Sequence, residues 1–469
     1  MVYLLGDFKN ESSASTIKEE VSMKNIHVKE IIEQLDATLY GSEDASFDQV
    51  VIDTRKVSAG SLFIGIKGER VDGNMLYQEA FEKGASVCIV ENLEVIDVPP
   101  GKAVLKVKST YRGILDLAFL YRQRLKVKII GITGSTGKTS TKDILHGMLS
   151  KKYRVFKTSG NYNNELGLPL MILSLDDDYD YAVLEMGMSA PLEIHNLARV
   201  AKPDYAIITN IGLSHIEHLG SQENILKAKM EIADFFEKDA LLVLNGDDAY
   251  LSSIGPKPYR VLYGGLKNGA YVAKNLQLGE EEISFSVNKG KERIAINVAG
   301  KHNVQNAILC YIMAKELGLR DEDLAEISVE KSAMRMDLIK HPHLTVINDC
   351  YNASPDSMKA ALAYLMSFQG RKVAVLGTMK ELGQEEKVHH ETLAHHAKAL
   401  NLSQVIFIGD YGTLMASCYG EGAMHFDTVE EAKEALEKYL EKGDTVLIKA
   451  SRSMAFEELL PELERLGGK

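Results

Sequence analysis

The stretch KVKIIGITGSTGKTSTKDILHGML, residues 126–149, constrains the fold more than any other part of the chain. An apolar run of strand length leads into a glycine loop and then into a helical pattern. Within the loop, Gly134 and Gly137 let the backbone fold back and turn N–H groups toward an anion. The helix N-terminus behind them carries a partial positive charge that favours phosphate. Lys138 is spaced to reach β and γ phosphates, and the Thr139 hydroxyl to bind Mg²⁺. Ile132 stands where the first glycine of G-x-x-x-x-G-K-[ST] is expected, so the match is imperfect. A glycine turn with no ligand is the bland alternative; the strand before and the helix after speak against it. Because GKT supplies both a phosphate lysine and a metal hydroxyl, ATP is expected rather than a dinucleotide.

Strand-like runs recur on both sides: SLFIGIKG and ASVCIVE before the loop, YAVLEMG, DYAIITNIG and ALLVLNGDD after it, then RKVAVLGT, QVIFIGD and DTVLIKA. Helical stretches separate many of them, the rhythm of an α/β fold with mostly parallel sheets. At about 150 residues per domain, 469 residues suggest three domains. The expected organisation is a smaller N-terminal α/β domain at 23–125, a central P-loop domain with a mostly parallel sheet at 126–333, and a C-terminal Rossmann-like α/β domain at 334–469. Residues 1–22 read as a polar extension with no part in the chemistry, and they lack the pattern of a secretory signal.

A net charge of −12 argues against generic nucleic-acid binding. The four cysteines, Cys88, Cys310, Cys350 and Cys418, form no CxxC pair, so neither a disulfide framework nor a zinc site is indicated. No run of about 18 apolar residues predicts a membrane span. A cytoplasmic monomer is expected.

Ligands of open α/β sheets collect beyond the carboxyl ends of the strands. Glu185 ends the run AVLE, and His215 lies in the loop after AIITNIG. Beside a nucleotide, such oxygen and imidazole donors suit Mg²⁺ or Mn²⁺. NILKAKMEIADFF, residues 224–236, poses a different problem. As a helix it places Ile225, Ile232 and Phe236 on one apolar stripe, with Lys229 in the middle of it. The helix alone favours a lysine stem covering apolar surface while its head reaches water. KVHHETLAHH invites a zinc reading, but its histidines do not share a face and no carboxylate or cysteine set completes a tetrahedron, so a solvated helix is expected.

With these residues in view, the chain resembles the Mur ligase family of peptidoglycan synthesis from about Asp53 to the C-terminus. The resemblance rests on DTRKVSAGSLFIGIKGERVDGN, GITGSTGKTSTKD, TSGNYNNELGLPL, EMGMSAPLEI, TNIGLSHIEHLGSQENILKAKMEI, GKHNVQNAIL, NDCYNASPDSM and LGTMKELG, in that order. The family's loop has the form TGxxGKT, which accounts for Ile132. Within the family, the motifs are most similar to those of the member that adds D-alanyl-D-alanine to UDP-N-acetylmuramoyl-tripeptide.

The resemblance implies that Lys229 takes up CO₂ to become a carbamate, and that this anion, with Thr139, Glu185 and His215, holds Mg²⁺ at two sites. It implies that Thr133, Gly134, Ser135, Thr136, Gly137, Lys138, Thr139 and Ser140 surround the ATP phosphates. Asn303 would meet adenine, with Asn306 bracing the same helix start, Arg335 a nucleotide phosphate, and Asp349 the ribose. Thr54, Arg55, Lys67 and Gly68 would bind the uridine diphosphate end, and Asn161, Asn163 and Asn164 would face the acceptor. His390 falls where similar ligases carry a histidine after ELG, which suggests a role toward the dipeptide. Asn74, Asn348, Cys350, Thr378 and Ala450 depart from the family pattern and concern the uridine side and the third domain. A sibling ligase that adds a single amino acid is the first alternative; its diaminopimelate form should carry a DNPR segment, which is absent. A scaffold that has lost ligation is the second, opposed by intact Lys138, Glu185, His215 and Lys229.

Overall fold

The computed structural model describes residues 23–468. The extension expected at 1–22 lies outside them. The chain divides by compactness into two units: 23–129 with Arg154–Met186 and His195–Pro203, and Ile130–Tyr153 with Gly187–Ile194 and 204–468.

In the first unit, Gln49–Val51, Ser61–Ile64, Val87–Val90 and Ala103–Lys106 form a parallel sheet, closed at one edge by antiparallel Thr38–Gly41. Ser61–Ile64 and Val87–Val90 are buried along their whole length, as strands covered on both faces are. The loops that leave Gln49–Val51 and Ser61–Ile64 at their carboxyl ends carry Thr54, Arg55, Lys67 and Gly68. Helix Thr110–Arg122, capped by the Ser109 side chain, packs on helix Gly167–Leu173. A parallel pair, Val155–Lys157 and Tyr181–Glu185, completes this unit and ends at Glu185.

The second unit holds two sheets. In the first, Lys128–Thr133, Tyr205–Ile208, Leu241–Asn245, Arg260–Gly265 and Tyr271–Leu278 run parallel; Ile283–Val287 and Arg293–Ile296 then continue the sheet antiparallel. In the second, Leu344–Asn348, Asp444–Lys449, Lys372–Gly377, Gln404–Ile408 and Ala423–Phe426 are parallel neighbours, with Asp337–Lys340 antiparallel at the edge. Asp444–Lys449, last in the chain, inserts between the first and second of the parallel strands, so strand order reverses there. Such a reversal opens a crevice beyond the carboxyl ends. Ile129, Ile130 and Ile132 of the phosphate-loop strand are fully buried. Each is worth about 1.5–3 kcal/mol relative to exposure, which makes the strand a rigid base for the loop. The expected α/β class with mostly parallel sheets is what forms. No helix among the described residues is long and apolar enough to cross a membrane.

Two local expectations are corrected. The helix bearing Lys229 runs Gln222–Met230 and tightens into a 3-10 turn at Glu231–Ala233, so the 3.6-residue period is lost before Phe236. Phe236 is therefore half-buried, edge-on to Tyr259 at 5.0 Å, and is not a core residue of that stripe. Helix Glu386–Ala399 is not solvated all round: His390, Leu393, Ala394 and Ala397 form a buried stripe at i, i+3, i+4, i+7. His390 stacks on Tyr411 at 4.1 Å, accepts the Met379 N–H through Nε2, and lies 2.7 Å through Nδ1 from the Glu386 carbonyl. Burial holds its pKa below the ordinary imidazole value, so the neutral ring is favoured.

Candidate active site

The phosphate loop joins strand Lys128–Thr133 to helix Lys138–Leu149. Gly137 stands at the helix N-cap with φ 80°, and a Cβ there would lie 2.8 Å from Asn306 Oδ1. At Gly134, φ is 149° and a Cβ would fall 1.8 Å from Thr209 Oγ1. Only glycine fits both places. Thr133 is buried, with an Oγ1 that has no hydrogen-bond partner among the described residues.

The segment after strand Tyr205–Ile208, TNIGLS, shapes the loop. The Ser135 N–H donates to the Asn210 carbonyl and the Thr136 N–H to Asn210 Oδ1, both at 3.0 Å. Asn210 Nδ2 donates to Thr136 Oγ1, Thr209 Oγ1 to the Thr136 carbonyl, and the Gly212 N–H to Ser135 Oγ. Thr209, Asn210 and Gly212 are absent from the sequence reading, which took only His215 and Lys229 from the longer motif that begins with them. Small polar side chains just beyond a strand's carboxyl end were the available signal. With the Ser135 and Thr136 N–H groups engaged, the donors for a phosphate are those of the helix start, from Gly137 onward. Lys138 Nζ folds back onto the Gly134 carbonyl at 2.8 Å.

Lys229 is 1% exposed. Among the described residues its ammonium has neither a hydrogen bond nor an ion pair. Burial, and then the positive charge of Lys138, hold its pKa well below the ordinary lysine value. The side chain therefore does not snorkel. It stays inward between Ile225 and Ile232, both fully buried, as an amine biased toward its neutral, nucleophilic form.

His215 has a left-handed backbone, φ 63°, and its Nδ1 lies 2.7 Å from Glu381 Oε2. The histidine beside Glu381 holds that carboxyl below the ordinary glutamate value, against the opposing effect of burial. Among the described residues no group of three or more His, Cys, Asp or Glu is arranged to hold a metal.

A shallow hollow beside the loop is lined by Ser140, Asp143, Asn303, Lys331, Ser332 and Arg335 among others. Asn303 is buried at the start of helix Lys301–Glu316; its Nδ2 donates to the Ala299 carbonyl, and its Oδ1 accepts from Asn306 Nδ2. Asn306 thus links the Asn303 corner to the turn at Gly137. The Arg335 guanidinium stacks 3.9 Å over Tyr351. Asp349 Oδ2 is held by buried Lys449 Nζ at 2.6 Å, and its Oδ1 accepts the Met336 N–H. Lys449 is a further partner that the sequence reading did not single out.

The first unit carries the remaining expected residues. Glu185, 3% exposed, accepts from Asn163 Nδ2 at 2.9 Å, and its N–H donates to Thr158 Oγ1. Asn164 Oδ1 accepts the Leu166 and Gly167 N–H groups at the start of helix Gly167–Leu173, a capping role. Asn161 lies in the same loop and is exposed. Thr54 Oγ1 donates to Glu79, and exposed Arg55 pairs with Asp53 at 2.6 Å. The Lys67 and Asp72 backbones pair as an isolated antiparallel β-bridge, and the Gly68 N–H donates to the Val71 carbonyl. Asn74, where the family pattern has histidine, is buried and bonded to Asp72 and to the Glu91 N–H.

Three family models match the chain: Mur ligase family, catalytic domain, at residues 46–114; Mur ligase middle domain at 132–314; and Mur ligase, glutamate ligase domain at 334–452. The UDP-N-acetylmuramoyl-tripeptide–D-alanyl-D-alanine ligase of Bacillus subtilis is 38% identical, over 93% of this chain and 98% of its own length. The Escherichia coli protein of the same name is 29% identical over 95% and 100%. Among solved structures, MurF from Acinetobacter baumannii superposes with a TM-score of 0.87 at 27% identity, covering 95% of this chain and 100% of that one. MurF from Thermotoga maritima in complex with ADP gives 0.80 at 31% identity, covering 89% and 97%. A glycine loop held open for phosphate, an inward lysine beside it and this span of similarity lead to one conclusion: the chain belongs to the Mur ligase family.

Proposed function

We propose that the chain is an ATP-dependent amide ligase that joins D-alanyl-D-alanine to UDP-N-acetylmuramoyl-tripeptide in peptidoglycan precursor synthesis. The observation that carries the reading is Lys229, a buried side chain close to the phosphate-loop lysine whose amine has, among the described residues, no counter-ion. A chain that only folds around a nucleotide has no use for so costly a group. The Bacillus subtilis relative, named for this activity and similar over nearly the whole length, supports the choice of substrates.

Condensing a carboxylate with an amine in water is uphill, so the tripeptide carboxylate first attacks the γ phosphate of ATP, forming an acyl phosphate and releasing ADP. The dipeptide amine then displaces phosphate. Two anions must be brought together for the first step. Lys138 and the N–H groups at the start of helix Lys138–Leu149 offset their repulsion and hold the groups in line. Thr139, Glu185 and His215 are a hydroxyl, a carboxylate and an imidazole. They suit Mg²⁺, which would occupy two sites and supply charge neutralisation when bound. Lys229 fits carbamylation: its neutral amine adds to CO₂ with loss of one proton and becomes an anion that Lys138 favours. Asn303 and Asn306 would order the adenine corner, Arg335 would meet phosphate, and Asp349, oriented by Lys449, would meet the ribose. Thr54, Arg55, Lys67 and Gly68 would take the uridine diphosphate end, and Asn161, Asn163 and Asn164 the acceptor side. On this reading the enzyme works in the cytoplasm as a monomer of three domains, 23–125, 126–333 and 334–469.

Phosphate release tests the proposal. It should require ATP, UDP-muramoyl-tripeptide and D-alanyl-D-alanine together. Release supported equally by a single amino acid would assign a sibling ligase, and release indifferent to both would remove ligation.

A further inference from the structure

Glu381 lies in the loop after strand Lys372–Gly377, within the stretch matching the glutamate ligase domain, whereas His215 lies within the middle-domain match. They come from different parts of the chain and meet at 2.7 Å, Nδ1 to Oε2. At that distance the two atoms are in close contact, although among the described residues Nδ1 makes no hydrogen bond of good geometry. Catalytic hydrogen bonds are often poorly aligned until ligands arrive. Both residues are non-glycines with left-handed backbones, φ 63° at His215 and 65° at Glu381. Two strained residues aimed at each other are the kind of arrangement that function keeps. The seam around them is tight: a Cβ on Gly383 would lie 3.1 Å from Glu217 Cα.

An imidazole can hold a metal through one nitrogen only if its proton is on the other. A carboxylate facing Nδ1 puts the proton there and leaves the Nε2 lone pair open. We propose that Glu381 is the positioning residue of His215, so that docking of the loop 378–383 presents Nε2 to the divalent cation that accompanies the nucleotide. The inference rests on the metal reading of His215 given above.

Long-range proton–nitrogen spectra of the full, nucleotide-free chain with ¹⁵N-histidine test it, recorded at alkaline pH where imidazoles are neutral. His215 is assigned by the signal lost in His215→Asn. Wild type and Glu381→Gln, whose amide oxygen still accepts, should show the Nδ1–H form; Glu381→Ala should shift to the Nε2–H form. Manganese binding in the presence of ADP, followed by electron paramagnetic resonance, should weaken about 10–100-fold in Glu381→Ala and less in Glu381→Gln. An unchanged tautomer, or unchanged manganese affinity, in Glu381→Ala would overturn the proposal. If His215→Asn binds manganese like wild type while the tautomer still shifts, the metal reading is what fails, and the presentation of Nε2 fails with it.

Discussion

Replacing Lys229 with methionine should make the protein more stable and inactive at once. The side chain is 1% exposed, has no hydrogen bond or ion pair for its ammonium among the described residues, and is near a second cation, Lys138. Leaving a buried polar group unpaired costs about 1–3 kcal/mol, and methionine fills a similar volume without that cost. Lys229→Met should therefore gain about 1–3 kcal/mol, a rise of a few degrees in melting temperature. The gain has a definite pH dependence. Lys229 has a lower pKa folded than unfolded, so between the two values the unfolded chain binds more protons and wild-type stability rises with pH. The advantage of methionine should thus be largest at low pH and shrink toward the unfolded lysine value of about 10.4. Chemical denaturation across a pH series, in buffers freed of CO₂, measures this directly. Phosphate release by the same variant should be lost and should not return on adding bicarbonate. A variant that is less stable at every pH and turns over normally would refute the reasoning.

Two other changes probe the supports of the site. Asn210→Ala removes the Thr136 N–H acceptor and the donor to Thr136 Oγ1, each worth about 0.5–1.5 kcal/mol; titration calorimetry should show ATP binding weakened about 10-fold, and unchanged binding would mean the loop holds its shape unaided. Lys449→Met leaves Asp349 as a buried carboxylate without its cation, at a cost of about 3–5 kcal/mol in denaturant unfolding; a loss below about 1 kcal/mol would show that the pair is not doing the holding.

What the sequence made legible follows from which patterns are one-sided. Runs such as KIIGIT and VCIV are apolar on both faces because both faces are covered, so they stand out as strands and locate the ends where ligands collect. The strands Tyr271–Leu278 and Arg293–Ile296 were not read, since exposed Lys274, Asn275 and Arg293 dilute the apolar signal and turn them into polar stretches of no clear period. Lys229 was visible as an anomaly in a helical stripe, but only its burial decides between snorkelling and an inward amine. Glu381 and Lys449 escaped because their meaning depends on His215 and Asp349, 166 and 100 residues away respectively. His390 was misjudged because four histidines look solvated in sequence, whereas one of them shares a face with Leu393, Ala394 and Ala397.

Carbon-13 spectra of the purified chain in ¹³C-bicarbonate test most directly whether the inward amine is there to be modified. One carbamate resonance should appear in the wild-type protein and be missing from Lys229→Met. A wild-type spectrum with no such resonance, or the same resonance persisting in the variant, would contradict the account.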